Sequence, residues 1–185
     1  MRPLYVNCYT DRYADEAAAL VQSLDQFGLD HRVERIEDAG TWAANCNLKP
    51  AHIERCAKDN PDRPIVWLDA DARVRQYPRL FDDMAALNRW DFAAHWLNGS
   101  ELLSGTLYFG PTIQARELVH RWRLACSRAA NEWDQRTLQA VLPQFPSLRV
   151  SMLPFSYVRI FDYPGQTERP VIEHLQASRR LRDGK

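Results

Sequence analysis

The sequence contains no apolar run near the roughly 18–20 residues that span a bilayer, so it carries no transmembrane signal. Its opening, Met1-Arg2-Pro3-Leu4-Tyr5-Val6, lacks the long apolar core of a signal peptide and reads directly as a strand. The expected compartment is the cytoplasm. Cysteine is sparse: Cys8, Cys46, Cys56 and Cys126 show no C-x-x-C spacing and no histidines at zinc-finger intervals. That excludes a disulfide-framed miniprotein, and the thiols are expected reduced and partly buried. The seven scattered glycines form neither G-x-x-x-x-G-K-[ST] nor G-x-G-x-x-G. A G-x-S-x-G elbow and an H-E-x-x-H helix are also lacking. These absences demote kinases, dehydrogenases, hydrolases and zinc proteases. Net charge is missing too, with 24 basic and 24 acidic groups, so no overall field draws nucleic acid or anionic lipid. Lysine occurs only as Lys49, Lys58 and Lys185. The arginine bias is read as genomic base composition, with arginine's forked grip on phosphate as the alternative.

What remains is an ordinary globular composition: 185 residues, 45% hydrophobic, 26% charged and 11% aromatic. The length implies one domain covering residues 1–185. Charge is distributed unevenly: residues 11–38 hold eight acids against three arginines, and 146–185 hold seven basic groups against four acids.

Hydrophobic periodicity predicts a strand over 3–9, then a helix over 14–27 carrying Ala17, Leu20, Val21, Leu24 and Phe27, stopped by Gly28. A second strand is predicted over 31–37 and a second helix over 45–60, with Pro50 tolerable only near a helix start. Pro64-Ile65-Val66-Trp67-Leu68 is apolar on both faces, the pattern of a central parallel strand. A helix over 78–87 follows, then strands over 91–96 and 102–109. The longest helix spans 112–130, with Ile113, Leu118, Trp122 and Cys126 on one side; another covers 132–142. Late strands over 148–153 and 156–161 precede a basic tail. Strand–helix alternation followed by a mixed second half predicts an α/β sandwich around a mostly parallel central sheet.

The strongest local signal is Asp69-x-Asp71, directly after the buried strand. With 15 aspartates, one D-x-D arises by chance, so the context carries the weight. Open α/β sheets bind ligands at the carboxyl ends of their strands. Two carboxylates placed there can share a hard divalent cation, or divide a cation and a sugar hydroxyl between them. Left buried and unpaired they would be costly.

Ile65-Val66-Trp67-Leu68-Asp69-Ala70-Asp71 resembles the metal-binding motif of glycosyltransferases with the GT-A, nucleotide-diphospho-sugar transferase fold. Four further segments resemble that family in order. Asn45-Cys46-Asn47-Leu48-Lys49-Pro50 matches the helix over the nucleotide, and Leu103-Ser104-Gly105-Thr106-Leu107-Tyr108-Phe109 the strand lining the donor-sugar pocket. Trp133-Asp134-Gln135 matches the acidic motif facing the acceptor, and Glu173-His174-Leu175-Gln176-Ala177-Ser178-Arg179 the C-terminal metal and phosphate segment.

The resemblance implies a single-domain, Rossmann-like α/β/α sandwich and a transferase that uses a nucleotide-diphosphate sugar. Its chemistry chiefly requires stabilising negative charge on a departing diphosphate, which a bridging divalent ion does as a Lewis acid. Asp71 is the first-choice ligand and His174 the third, with Asp69 ligating through water or holding the ribose. An imidazole among oxygen ligands favours Mn²⁺ over Mg²⁺. Tyr9, Thr10 and Tyr13 are candidates for the base, or simply an amphipathic strand end. Lys49 reaches the nucleotide or is a solvated helix residue. Ser104 and Gly105 let the backbone approach the sugar. Ser178 and Arg179 suit phosphate. Asp134, with Gln135 beside it, is the acceptor-side carboxylate: a base if the reaction inverts, an orienting group if it retains, or merely a helix N-terminal charge.

The acceptor is less legible. Arg89-Trp90, Arg121-Trp122-Arg123 and Arg179, Arg180 and Arg182 suggest contacts to phosphates and bases. Small transferases of this type modify phage DNA, so the leading expectation is a hydroxymethylated DNA base, with host cytoplasm as the setting if the chain is phage-encoded. A glycan or lipid-linked saccharide comes next. Two other classes stay open: a nucleotidyl- or phosphotransferase on a similar sheet, and a non-catalytic nucleotide-sugar binding module. Asn7-Cys8-Tyr9-Thr10-Asp11 lacks the glycine-rich basic loop that the former would want.

Overall fold

The computed structural model describes residues 2–129, 132–165 and 167–183, with side chains as far as Arg180. In chain order the elements are β1 (Leu4–Tyr9), a 3-10 turn at Asp11–Tyr13, α1 (Ala14–Gln26), β2 (His31–Arg35), α2 (Trp42–Cys46) and α3 (Lys49–Asp59). Next come β3 (Ile65–Leu68), β4 (Ala72–Val74), α4 (Arg79–Leu87), β5 (Phe92–Leu97) and β6 (Glu101–Phe109). The remainder is α5 (Ile113–Arg128), α6 (Asp134–Val141), β7 (Val150–Met152), β8 (Arg159–Ile160), β9 (Ile172–His174) and α7 (Ala177–Asp183). Among the described residues no helix is long and apolar enough to cross a membrane.

The main sheet runs β2-β1-β3-β6-β5-β7. β1 is parallel to β2 and β3, and β5 is parallel to β7, while β6 runs against both β3 and β5. The sheet is therefore mostly parallel, with one reversed strand in its middle. Side chains alternate across it, as period-two strands require. Leu4, Val6, Ile65, Trp67, Leu107 and Phe109 face a core that also takes Ile53 from α3 and Leu118 and Trp122 from α5. Tyr5, Val66, Leu68 and Tyr108 face the other core, which takes Leu20 and Leu24 from α1 and Phe81 and Met84 from α4. Every residue of β3 is buried, because both faces of the strand are covered.

β3 and β6 pair with Leu68 opposite Thr106, and just beyond that pair the Asp69 amide donates to the Gly105 carbonyl at 2.8 Å. The reversed strand therefore lays residues 104–106 beside the acid pair. A smaller sheet, β4-β9-β8, closes the same end. β9 pairs antiparallel with β4, Ala72 opposite His174, and the Leu175 amide donates to the Asp71 carbonyl at 3.1 Å. Residues about 100 positions apart are thus pinned together by backbone alone.

The structure departs from the sequence reading in definite places. The helix expected over 45–60 is two helices, α2 beginning at Trp42 behind the Thr41 hydroxyl cap, and α3 beginning at Lys49. Pro50 stands in the first turn of α3, where its missing N–H costs nothing. The strand expected over 156–161 is a 3-10 turn at Phe155–Tyr157 followed by the two-residue β8. Tyr157 is turned inward there, and its hydroxyl accepts from the Leu80 amide at 3.0 Å. The basic tail, for which no element is predicted, contains β9 and α7. Ile113, expected on the buried face of α5, is 79% exposed because it is the first residue after the Thr112 cap. Ala130, the expected end of that helix, lies outside the described residues.

Phe81 is fully buried, stacks on Tyr108 with ring centroids 6.0 Å apart, and meets Tyr157 edge-on at 5.2 Å. Phe81→Ala is expected to lower unfolding stability by about 3–5 kcal/mol in urea titrations. A loss below about 1 kcal/mol would show that this core is not packed as described.

Candidate active site

The carboxyl ends of β1 and β3, the first residues of α3 and α6, and the loop beyond β9 surround a cleft of about 510 Å³. Tyr9, Thr10, Tyr13, Lys49, Asp69, Asp71, Ser104, Gly105, Asp134, Gln135, His174 and Ser178 all line it. Arg179 does not; its guanidinium donates to Asp162 at 2.7 Å and is half exposed.

Lys49 organises the floor. It is 5% exposed, not the solvated residue of the alternative reading. Its ammonium lies 2.9 Å from Asp69 Oδ1 and 2.7 Å from Asp134 Oδ2, and also donates to the Ser104 carbonyl at 3.1 Å. The Trp67 ring lies below it, 5.2 Å away. Burial pushes the Lys49 amine down, but the two carboxylates outweigh it and hold the ammonium above its usual range. Burial pushes the Asp134 carboxyl up, against the pull of Lys49 and of the Ser104 hydroxyl, which donates to it at 2.9 Å. Asp134 is anchored as the first residue of α6, where its carbonyl accepts from the Trp122 indole at 2.9 Å. Asp69 is oriented from below by the Trp67 indole N–H, which donates to Oδ1 at 2.7 Å. Gln135 turns to β6, its Oε1 accepting from the Ser104 amide at 3.3 Å and its Nε2 donating to Glu101 at 3.2 Å.

A second pair stands beside this floor. His174 Nδ1 is 3.5 Å from Asp71 Oδ1, and Asp71 Oδ2 accepts from the Ala177 amide at 2.9 Å. Burial raises the Asp71 carboxyl, but His174 and the Ala177 amide outweigh that and leave it below its usual range, a carboxylate at neutral pH. His174 Nε2 meets Thr106 Oγ1 at 2.8 Å. The imidazole also packs on Gly105, where a Cβ would approach its ring to 2.9 Å. Glycine at 105 is therefore a cradle for this imidazole.

These donors suit a divalent cation in part. His174 meets Thr106 through Nε2 and Asp71 through Nδ1, so a cation bound at Nδ1 would need Nε2–H directed at the Thr106 hydroxyl. Asp69 points instead to Lys49 and Trp67. Among the described residues no group of three or more His, Cys, Asp or Glu is arranged to hold a metal ion. Protein would thus supply two ligands, and a cation bound there would complete its shell with phosphate oxygens and water, as Mg²⁺-type sites commonly do.

The basic–aromatic clusters do not form a joint surface. Trp122 is a fully buried core residue, and Trp90 packs against the opposite core. Arg121 pairs with Glu117, Arg123 with Glu54, and Arg180 with Glu16. The Arg182 side chain lies outside the described residues.

Sequence reasoning missed several residues in and behind the cleft. Trp42 lies three residues before the expected helix start at 45, although Thr41 is an ordinary cap signal. Thr106 lay inside a motif without a role. Cys8 lines the cleft, but burial pushes its thiol up to about 12, so it is no ready nucleophile.

Lys49→Met leaves Asp134 charged, buried and unpaired, so it is expected to cost about 3–5 kcal/mol at neutral pH. A carboxyl raised in the folded state favours the protonated form, so the deficit should narrow as pH falls to about 5. Adding Asp134→Asn should recover most of it. Urea unfolding at both pH values checks this, and a single variant within about 1 kcal/mol of wild type would contradict the buried ion pair.

No protein-family profile matches the sequence, and neither does any curated protein. Solved structures do. A glycosyltransferase involved in glycosylation of the major capsid of PBCV-1 superposes with a TM-score of 0.71 at 16% identity, over 99% of this chain and 98% of that one. The glycosyltransferase GlyE of Streptococcus pneumoniae TIGR4 gives 0.63 at 15% identity, over 94% of this chain and 55% of its own length. Mouse xyloside xylosyltransferase 1 gives 0.60 at 10% identity, over 96% and 98% of the two chains. The chain therefore has the GT-A-like α/β fold of these glycosyltransferases, as the acid-pair resemblance implied.

Proposed function

We propose that the chain is a D-x-D glycosyltransferase that moves a sugar from a nucleotide-diphosphate sugar to a hydroxyl acceptor with a divalent cation, Mn²⁺ before Mg²⁺. The observation that carries this reading is the Asp71–His174 pair, 3.5 Å apart at the mouth of a glycosyltransferase-like sheet. When bound, the cation supplies positive charge to the diphosphate that leaves.

The remaining work falls to the chain. Tyr9, Thr10 and Tyr13, at and just beyond the end of β1, face the base, and Ser178 faces the phosphates. Asp69, held at one oxygen by Trp67 and Lys49, offers its carboxylate to the ribose. Ser104 and Gly105 bring backbone close to the donor sugar. Asp134 is 3% exposed and already accepts from Lys49 and Ser104. That favours a role in orienting the sugar with Lys49 over removing the acceptor's proton, because a general base needs an open lone pair within reach of the hydroxyl. Gln135 holds β6 in register with α6.

Among acceptors, a glycan or other saccharide hydroxyl fits better than a hydroxymethylated DNA base. Of the arginines expected to grip DNA, Arg121, Arg123, Arg179 and Arg180 are matched by carboxylates, and phosphate affinity rests on cations left available for counterion release.

Thermal unfolding with a panel of nucleoside diphosphates tests the reading. With Mn²⁺, one diphosphate at about 100 times its Kd should add about 2.7 kcal/mol, or roughly 5–10 °C. Asp71→Ala should abolish the shift, and nucleotide-sugar hydrolysis should follow the same nucleotide preference. Metal-independent shifts would remove the cation from the reading. Pyrophosphate release from a nucleoside triphosphate would identify a nucleotidyltransferase, and binding without turnover a binding module.

A further inference from the structure

The pairing of β3 with β6 ends at Leu68 opposite Thr106, whereas β5 accompanies β6 as far as Glu101. Among the described residues, β6 from Glu101 to Ser104 therefore has a strand along one edge only. Its other edge turns to α6, where glutamine side chains take the place of strand backbone. Gln135 Oε1 accepts from the Ser104 amide at 3.3 Å, and Gln139 Oε1 accepts from the Leu102 amide at 3.1 Å. Gln139 Nε2 also donates to the Ser100 carbonyl at 2.8 Å, one residue before the strand begins. The edge N–H groups, which need partners wherever water is excluded, are thus satisfied by a helix.

The spacing is what makes this possible. Four residues of helix advance about 6 Å and two residues of strand about 6.7 Å, so glutamines at i and i+4 keep step with amides two residues apart. Helix numbers rise as strand numbers fall, so α6 lies antiparallel to β6. Leu138 and Leu102 are both fully buried in the same core and press the helix against the strand. One such bond would let α6 pivot, whereas two fix its register. Asp134 directly precedes Gln135, so the same register sets how deep its carboxylate enters the cleft. It arrives 2.9 Å from the Ser104 hydroxyl and 2.7 Å from the Lys49 ammonium. A slip of one residue would carry Asp134 about 1.5 Å along the axis and turn it by about 100°, and neither contact survives that.

We infer that Gln139 is a positioning residue: with Gln135 it fastens α6 to β6 and so holds Asp134 at Lys49 and Ser104, where the donor sugar is oriented. The inference rests on the transferase reading. It gives Gln139 work that its exposed place on α6 does not suggest, since substitutions at such positions ordinarily change little.

Gln139→Ala removes both bonds at an exposed position, so the fold should be kept, and thermal unfolding checks this. The probes are UDP, GDP and ADP and their glucose conjugates, each with Mn²⁺. Gln139→Ala should hydrolyse the conjugate that wild type turns over fastest at least fivefold more slowly, with affinity for the matching free diphosphate within twofold. Gln139→Glu keeps an oxygen for the Leu102 amide and should retain more than half the wild-type rate. By deuterium exchange, the Leu102 amide should open at least tenfold faster in Gln139→Ala and near the wild-type rate in Gln139→Glu. In an Asp134→Asn background, Gln139→Ala should cause less than a twofold further loss, because both act through one carboxylate. The inference is overturned if Gln139→Ala hydrolyses within twofold of wild type, if diphosphate affinity falls in step with the rate, or if the full loss persists beside Asp134→Asn. Unchanged exchange at Leu102 would overturn it as well. Wild-type protein that hydrolyses no conjugate sinks the transferase reading, and amide exchange then decides by itself whether the glutamines hold the strand.

Discussion

The site depends on one reversed strand. Because β6 runs antiparallel beside β3, Ser104, Gly105 and Thr106 lie next to Asp69 and Asp71, and each contributes differently. Ser104 reaches Asp134 and Lys49, the Gly105 carbonyl takes the Asp69 amide, and Thr106 fixes the His174 ring. A parallel neighbour would have needed a long crossover and would have brought a different part of the strand to that point. The four apolar residues of β3 supply the anchor, since burial on both faces leaves its register little freedom.

Electrostatics then divides the cleft into two compartments. One holds an ammonium between two carboxylates, a cluster that is costly to bury and keeps its geometry only while every member is present. The other holds a carboxylate and an imidazole that face each other at 3.5 Å with no lysine or arginine between them. The acids of the D-x-D are thereby assigned to different work: Asp69 is bound into the ammonium cluster, and Asp71 faces His174. Residues next to each other in a motif need not share a ligand.

Much of the fold was legible in the sequence because it rests on patterns longer than a turn. The fully apolar β3, the capped helix after Thr112 and the stop at Gly28 are local signals that tertiary packing did not override. Trp122 was legible as core through its spacing with Leu118 and Cys126. The three-residue strands β4 and β9 were not, since so short a segment shows no periodicity and pairs only because distant backbone meets it. His174 lies on one of them, so only the family resemblance pointed to it. The burial of Lys49 was likewise invisible: it follows from two acids, one 20 and one 85 positions downstream, that fold onto it. The contact between the Trp42 and Trp133 rings was hidden because it joins α2 to the start of α6.

The central claim is that Asp71 and His174 together hold a divalent cation. Anomalous scattering from a crystal soaked with Mn²⁺ and a nucleoside diphosphate tests it most directly. A manganese peak bonded to an Asp71 carboxylate oxygen and to His174 Nδ1, and lost in Asp71→Ala crystals, is the expected result. Nucleotide density in the cleft with no manganese between these two side chains would contradict the account.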